Sequence, residues 1–335
     1  MPPARTALVA LAAGLGLAAC GSAATATVSA PRSPKLAHWT ALVHLARPLD
    51  VAAGRSDGSI VVAAAGRLYL LGSAGRLAPF APAYKSPGGE EPYIAVPDAA
   101  HKGCSFGRNT VYALRLHAGR GVVAISPSGR VRRFASITAP GLLDGIAFDE
   151  TGGFGHRLLV TINHGATTTV DAIDCGGAVS TITRSAPRVE GGIAVAPSSF
   201  GRFGGDLIAP DETGGRIFAV APQGKSMLVA ASGLPHGGDI GVESEAFVPA
   251  AARFDALLAD RLTPGNRHPG DDVLLQVGSA ALHAAGVRPG ELLVASEGGA
   301  LTDAVSCGPT RCQVRYVASG PAIAHAEGHI AFVSG

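Results

Sequence analysis

The chain has 335 residues, 47% of them hydrophobic and 16% charged, with 46 glycines and 23 prolines. That length can bury a full core, but the punctuation is too frequent for long helices, which excludes a helical bundle or coiled coil. A formal net charge of +2, only four lysines, and arginines scattered without interleaved aromatics argue against nucleic acid as a partner.

In chain order, residues 1–19 come first, with one positive charge at Arg5 and an apolar run from Ala7 to Ala19 that stops at Cys20. This is the order of a secretory signal. The run would span roughly 20 Å as a helix, short of a bilayer core of ~30 Å, so it is not a permanent span. Leu17-Ala18-Ala19-Cys20 resembles the lipobox of bacterial lipoproteins. The resemblance implies cleavage after Ala19 and lipid on Cys20, with acyl chains such as palmitate. The membrane is then a partner through the N-terminal lipid, and the expected location is the extracytoplasmic face of the cell membrane. Residues 20–37 read as the lipidated cysteine and a flexible Ala/Ser/Thr/Pro tether, which leaves 38–335 as the folded domain.

Cys104, Cys175, Cys307 and Cys312 are an even set suited to disulfides in an oxidising compartment. The turn within Cys307-Gly-Pro-Thr-Arg-Cys312 is suited to closing a hairpin, and Cys104 with Cys175 is then the simplest of three connectivities. No Cys-x-x-Cys pair offers a cysteine zinc site.

A short motif, an acid followed by small or apolar residues and an alanine, recurs at Asp50–Ala52, Glu91–Ala95, Asp144–Ala147, Glu190–Ala194, Glu243–Ala246 and Glu327–Ala331. The alanines are 43, 52, 47, 52 and 85 residues apart, and the last interval is close to two units, as if one copy had degraded. Between the motifs lie short strand-like runs such as SIVVAAA (59–65), GVVAIS (121–126), RLLVTI (157–162), RIFAVA (216–221) and ELLVAS (291–296), joined by Gly-rich turns. About four short strands per unit predict an all-β β-propeller of six blades, with five or seven also open. Trp39–Leu45 reads as an outer strand and Ile330–Val333 as an inner one, and joining them in one blade closes the ring. Helical patterning is confined to short pieces, Ala252–Leu262 and Ser279–Ala285.

Antiparallel blades place the start of the first strand and the end of the second at one face. The opening acids therefore circle one channel mouth, where their repulsion is relieved by raised pKa values or by a divalent cation such as Ca²⁺. Asp144, Glu190 and Glu245 are the candidate metal ligands. Asn163, Asp211, Asp239, Asp260 and His268 are candidate ligand-binding residues, and His236 or His164 a candidate general base. The alternative is that each acid pairs with backbone N–H groups or an arginine of the next blade as a structural contact.

Two familiar patterns fail on context. Gly54-Arg-Ser-Asp-Gly58 fits G-x-S-x-G but joins two strands, so it is a hairpin loop and not a nucleophile elbow. His325-Ala-Glu-Gly-His329 spaces its histidines about 13 Å apart along a strand, too far for one zinc ion.

Asp144-Gly-Ile-Ala-Phe-Asp149, followed by GGFGHRLLVTI, resembles the inner-strand motif of NHL and gluconolactonase-like six-bladed propellers. Glu190-Gly-Gly-Ile-Ala and Glu327-Gly-His-Ile-Ala are similar to inner strands of esterase-like phytase propellers. The gluconolactonase-like resemblance implies a divalent metal in the central channel on a Glu, an Asn and an Asp; Asp144 alone falls at a comparable inner-strand entry, while Asn163 follows a second strand. Two functions are therefore expected. The first is a monomeric lipoprotein binding a glycan, small-molecule or protein ligand on its channel-mouth face, and the second a metal-dependent hydrolase or lactonase.

Overall fold

A sheet of short strands cannot cover both of its own faces, and this chain buries them by packing sheets radially. The computed structural model describes residues 35–72, 75–86, 91–97, 105–117 and 119–334, and its elements form an all-β, six-bladed β-propeller. The proposed signal segment and Cys20 lie outside the described residues.

The chain enters through β1 (Ala37–His38) and β2 (Thr40–His44). Blade 1 then runs from the axis outward as β3 (Pro48–Ala52), β4 (Ile60–Ala64), β5 (Arg67–Leu71) and β6 (Leu77–Phe80). Blade 2 is β7 (Ile94–Ala95), β8 (Val111–Arg115), β9 (Gly121–Ile125) and β10 (Val131–Ser136). Blade 3 is β11 (Leu142–Phe148), β12 (Leu158–His164), β13 (Thr167–Ile173) and β14 (Val179–Pro187). Blade 4 is β15 (Ala194–Val195), β16 (Leu207–Asp211), β17 (Arg216–Val220) and β18 (Ser226–Ala231).

The last two blades are nested. After β19 (Val242–Phe247) opens blade 5, the chain crosses to blade 6 for β20 (Phe254–Asp260) and β21 (Val273–Gly278). It makes the short helix α1 (Ser279–Ala284) and returns to blade 5 with β22 (Leu292–Ser296), β23 (Thr302–Cys307) and β24 (Cys312–Ser319). Finally β25 (Ala326–Ser334) supplies the inner strand of blade 6, while β2 is its outer strand on β21. The joining of the two chain ends in one blade is thus as expected. A further clasp, parallel pairing of β1 with β24, adds a fifth strand to blade 5.

Nesting also corrects two expectations. The 85-residue interval holds the outer strands of two blades, so no copy of the repeat is degraded. Residues 252–262 contain strand β20, not a helix. Its residues Phe254, Leu257 and Leu258 fit a helical stripe, but nearly every side chain of β20 is buried, and a strand covered on both faces loses the two-residue alternation. The expected helix at Ser279–Ala285 is present as α1.

The Cys307–Cys312 disulfide closes the β23–β24 hairpin, where the two residues are paired. Cys175 is also disulfide-bonded, and its expected partner Cys104 lies outside the described residues. Among the described residues, no helix is long and apolar enough to cross a membrane.

Trp39, between β1 and β2, fastens the N-terminal clasp. It is 3% exposed, packs with Phe254, Leu258 and Val317, and donates its indole N–H to Thr302 Oγ1 at 2.8 Å. Trp39→Ala should lower stability by about 3–5 kcal/mol in denaturant unfolding followed by circular dichroism. A loss below about 1 kcal/mol would show that the clasp does not contribute to ring closure.

Candidate functional site

The acids reach the axis through irregularities in the inner strands. Pairing of β11 with β12 shifts between Leu143 and Gly145, leaving Asp144 as the extra residue, and β19 shifts likewise between Val242 and Ser244, leaving Glu243. Such bulges re-aim a side chain that strict alternation would send to a blade face. The glycines following the acids permit the next contact. Gly328 has φ +70°, and a Cβ there would come within 2.5 Å of both Asp50 Oδ1 and the Leu49 carbonyl oxygen. Glycine at this position lets β25 approach blade 1 closely enough to bond it.

Asp50 is the hub of that approach. It is fully buried, and its Oδ1 accepts the amides of Val51 at 2.8 Å and His329 at 2.7 Å, while Oδ2 accepts the Ile94 amide at 2.7 Å. One carboxylate therefore ties blades 6, 1 and 2 together. His329 Nδ1 also lies 3.0 Å from Asp50 Oδ1. Burial opposes charge on His329, but the Asp50 carboxylate outweighs it and raises the imidazole pKa.

Above this hub the mouth is crossed by side chains from opposite blades. Tyr93, preceding β7 in blade 2, donates its hydroxyl to Glu243 Oε1 of blade 5 at 2.6 Å. Arg261, following β20 in blade 6, reaches Glu91 at 2.5 Å and Glu327 at 3.0 Å. These links span the acid end of the channel.

Between blades 5 and 6, Glu297, His325 and Glu327 converge. His325 Nε2 lies 2.9 Å from Glu297 Oε1 and 3.5 Å from Glu327 Oε1, and one ligand atom from each residue lies within 4.8 Å of the others. All three residues are at least nine-tenths buried, and Glu297 Oε2 has no hydrogen-bond partner. Burial works against charge on His325, but the two carboxylates prevail and lift its pKa to about 10. Burial, with His325 opposing it, pushes Glu327 up to about 7. Glu212, following β16, is pushed up to about 8 by burial and by Glu297 beside it, and its Oε1 is also unpartnered. More carboxylates are enclosed here than Arg261 and a protonated His325 can neutralise.

The structure distributes the residues expected from sequence over several roles. Asp144 bonds Asn163 Nδ2, which also donates to the Val189 carbonyl at 2.6 Å, and Thr168 donates to Asn163 Oδ1 at 2.6 Å. Burial first, and Glu190 second, raise the Asp144 pKa. Glu190 is gripped by Arg188 at 2.9 Å. Glu245 is fully buried beside the Ala194 amide, with neither oxygen holding a hydrogen-bond partner of good geometry, and burial holds its pKa well above the usual range. Asp211 is bound by Arg216 at 2.7 Å and caps its own hairpin through the Gly214 amide. Asp260 accepts the His325 amide at 2.9 Å, which positions the start of β25. The Asp239 amide faces Glu212, and His268 Nδ1 is 2.7 Å from the Ala322 carbonyl oxygen. His164, the last residue of β12, and His236, on a loop, are both exposed.

Sequence spacing does not bring out the Glu297–His325–Glu327 set, because Glu297 lies on a different blade from His325 and Glu327. Residues two apart on a strand share a face, so His325 and Glu327 are the natural pair, and the third member comes from the neighbouring blade.

No protein-family model matches the chain, and no curated protein matches it. Solved structures do resemble it. A nidogen/laminin complex aligns with TM-score 0.53 and 12% identity over 88% of this chain and 88% of that one. A Bacteroides thetaiotaomicron protein of unknown function aligns with TM-score 0.50 and 10% identity over 88% of this chain and 66% of that one. A streptogramin B lyase gives TM-score 0.48 and 11% identity over 86% and 75%. At these identities the likeness is one of fold.

Two outcomes are expected. Asp50→Ala should destabilise by about 3–5 kcal/mol, because three buried amides lose their acceptor, and a thermal melt reads this directly. Glu245 has a folded pKa above its unfolded value near 4.5, so its stabilising contribution is full below that value and fades as pH rises. Glu245→Gln should therefore melt higher than wild type at about pH 8, with the gap narrowing toward about pH 5. An equal gap at both pH values would show that Glu245 is ionised in the fold.

Proposed function

We propose that this protein is a membrane-anchored, extracytoplasmic propeller lipoprotein that binds its ligand at the acid mouth, through a divalent cation held by Glu297, His325 and Glu327. The observation that carries this reading is the buried convergence of those three donors beside an unpartnered carboxylate oxygen. A cation there would replace the proton on His325 Nε2 and offset the excess of carboxylates. The imidazole donor suits Zn²⁺ or a similar transition ion better than Ca²⁺, which prefers oxygen alone. The lipobox-like Leu-Ala-Ala-Cys20 and the disulfides support a location outside the cytoplasm.

A hydrolase is the second reading, favoured by the same set, since three protein ligands leave a coordination position for water or substrate. Bound metal would supply Lewis acidity and an activated water there. Glu212 stands close enough to influence Glu297 electrostatically, and Glu243 to influence Glu297 and Glu327.

Chelator-treated protein should take up about one equivalent of Zn²⁺ or Mn²⁺ in calorimetric titration, and His325→Ala together with Glu297→Gln should abolish it. No saturable uptake would overturn the metal reading, and turnover of aryl esters or lactones only with metal present would select the hydrolase. Cys20→Ala should move the protein from the membrane to the soluble fraction on cell fractionation, and retention at the membrane would refute the lipid anchor.

A further inference from the structure

The channel has a second end, remote from the acids in both position and chemistry. There a cavity of about 630 Å³ is lined by the later residues of the inner strands, a size in the range of small-molecule sites. Alanines at 52, 95, 147, 194 and 331 bound it, so each of these blades contributes a methyl group where a larger side chain would close the bore. Phe148 and Phe332 widen the apolar surface. Its floor includes His329, whose Nδ1 is committed to Asp50 and whose Nε2 is buried with no hydrogen-bond partner of good geometry.

The rim is built rather than loose. The loop after β3 is clamped to the hairpin before β8, with the Ser56 amide donating to Asn109 Oδ1 at 2.8 Å and Asn109 Nδ2 donating to Ser56 Oγ at 2.9 Å. Arg55 adds a bond to the Asn109 carbonyl at 3.2 Å, and its charge is met by Asp57 at 3.0 Å. Arg108 stands inside this clamp between Gly107 and Asn109, exposed on the cavity rim, with no hydrogen bond or ion pair among the described residues. Glu150 is the acid on the same rim and already has a partner. The pocket thus pairs apolar walls with one uncommitted guanidinium.

The geometry points to a second binding site at this end of the channel, for an unbranched acyl carboxylate whose tail lies against the alanine ring and whose head group meets Arg108. A guanidinium fork matches a carboxylate in plane and spacing, and between the rim and the His329 floor the lining is alanine, valine, isoleucine and phenylalanine. The site is separate from the acid mouth, because the Asp50–His329 pair lies between the two ends.

The test is calorimetric titration of the full chain carrying Cys20→Ser, which removes the need for detergent, with hexanoate, octanoate and decanoate. One equivalent should bind, with affinity rising about fourfold per added methylene until the tail meets the His329 floor. Arg108→Gln should weaken decanoate about fivefold while leaving 1-decanol unchanged. Ala194→Phe should abolish binding of both, and Ala52→Phe, filling the bore from another blade, does the same should the first variant lose its circular dichroism signal. Absence of saturable decanoate binding would overturn the site. Unchanged binding in a folded occluded variant, or an acid-to-alcohol preference that survives Arg108→Gln, would do so equally.

Discussion

A ring of sheets must be held shut where its blades meet at the axis, and here that depends most on one buried carboxylate. Asp50 receives amides from its own strand, from blade 2 and from blade 6, so a single side chain satisfies three donors that would otherwise lack an acceptor. The His329 imidazole completes its coordination, with Nδ1 3.0 Å from Asp50 Oδ1. The glycine at 328 belongs to the same constraint, since β25 could not otherwise come close enough to Asp50.

Much of this architecture was legible in the sequence because the axis imposes a repeating composition. Small residues are needed where six strands crowd together, and the alanines at 52, 95, 147, 194, 246 and 331 mark all six inner strands. The nesting of blades 5 and 6 was not legible, since local patterning reports strands and turns but not which sheet a strand joins. Phe254–Asp260 was misread for a related reason, burial on both faces having erased its alternation. The candidate site was half visible. Acids at the mouth followed from the repeat, whereas bulges that re-aim Asp144 and Glu243, and the meeting of Glu297 with His325, arise from pairing between distant segments.

The axis also separates two chemistries. At one end, Tyr93 bonds Glu243 of the opposite blade and Arg261 links Glu91 to Glu327, making a polar mouth in which burial strengthens each ion pair and pushes Glu212 and Glu327 toward the neutral form. At the other, alanine and phenylalanine side chains leave a bore open to solvent with its cation at the rim. Because the Asp50–His329 pair lies between them, occupancy of one end need not obstruct the other.

The nested blades have a consequence for how the molecule comes into being. Neither of the last two sheets can be finished from a contiguous stretch: blade 6 needs strands from both chain termini, and Asp50 waits for an amide 279 residues downstream. A chain synthesised N-terminus first therefore carries an open horseshoe until its final residues emerge. During that interval the apolar faces of blades 1 and 6 lack their covering, which makes the end of synthesis the moment of greatest exposure to aggregation and to proteases. Loss of only the last ten or so residues would leave the horseshoe permanently unclosed.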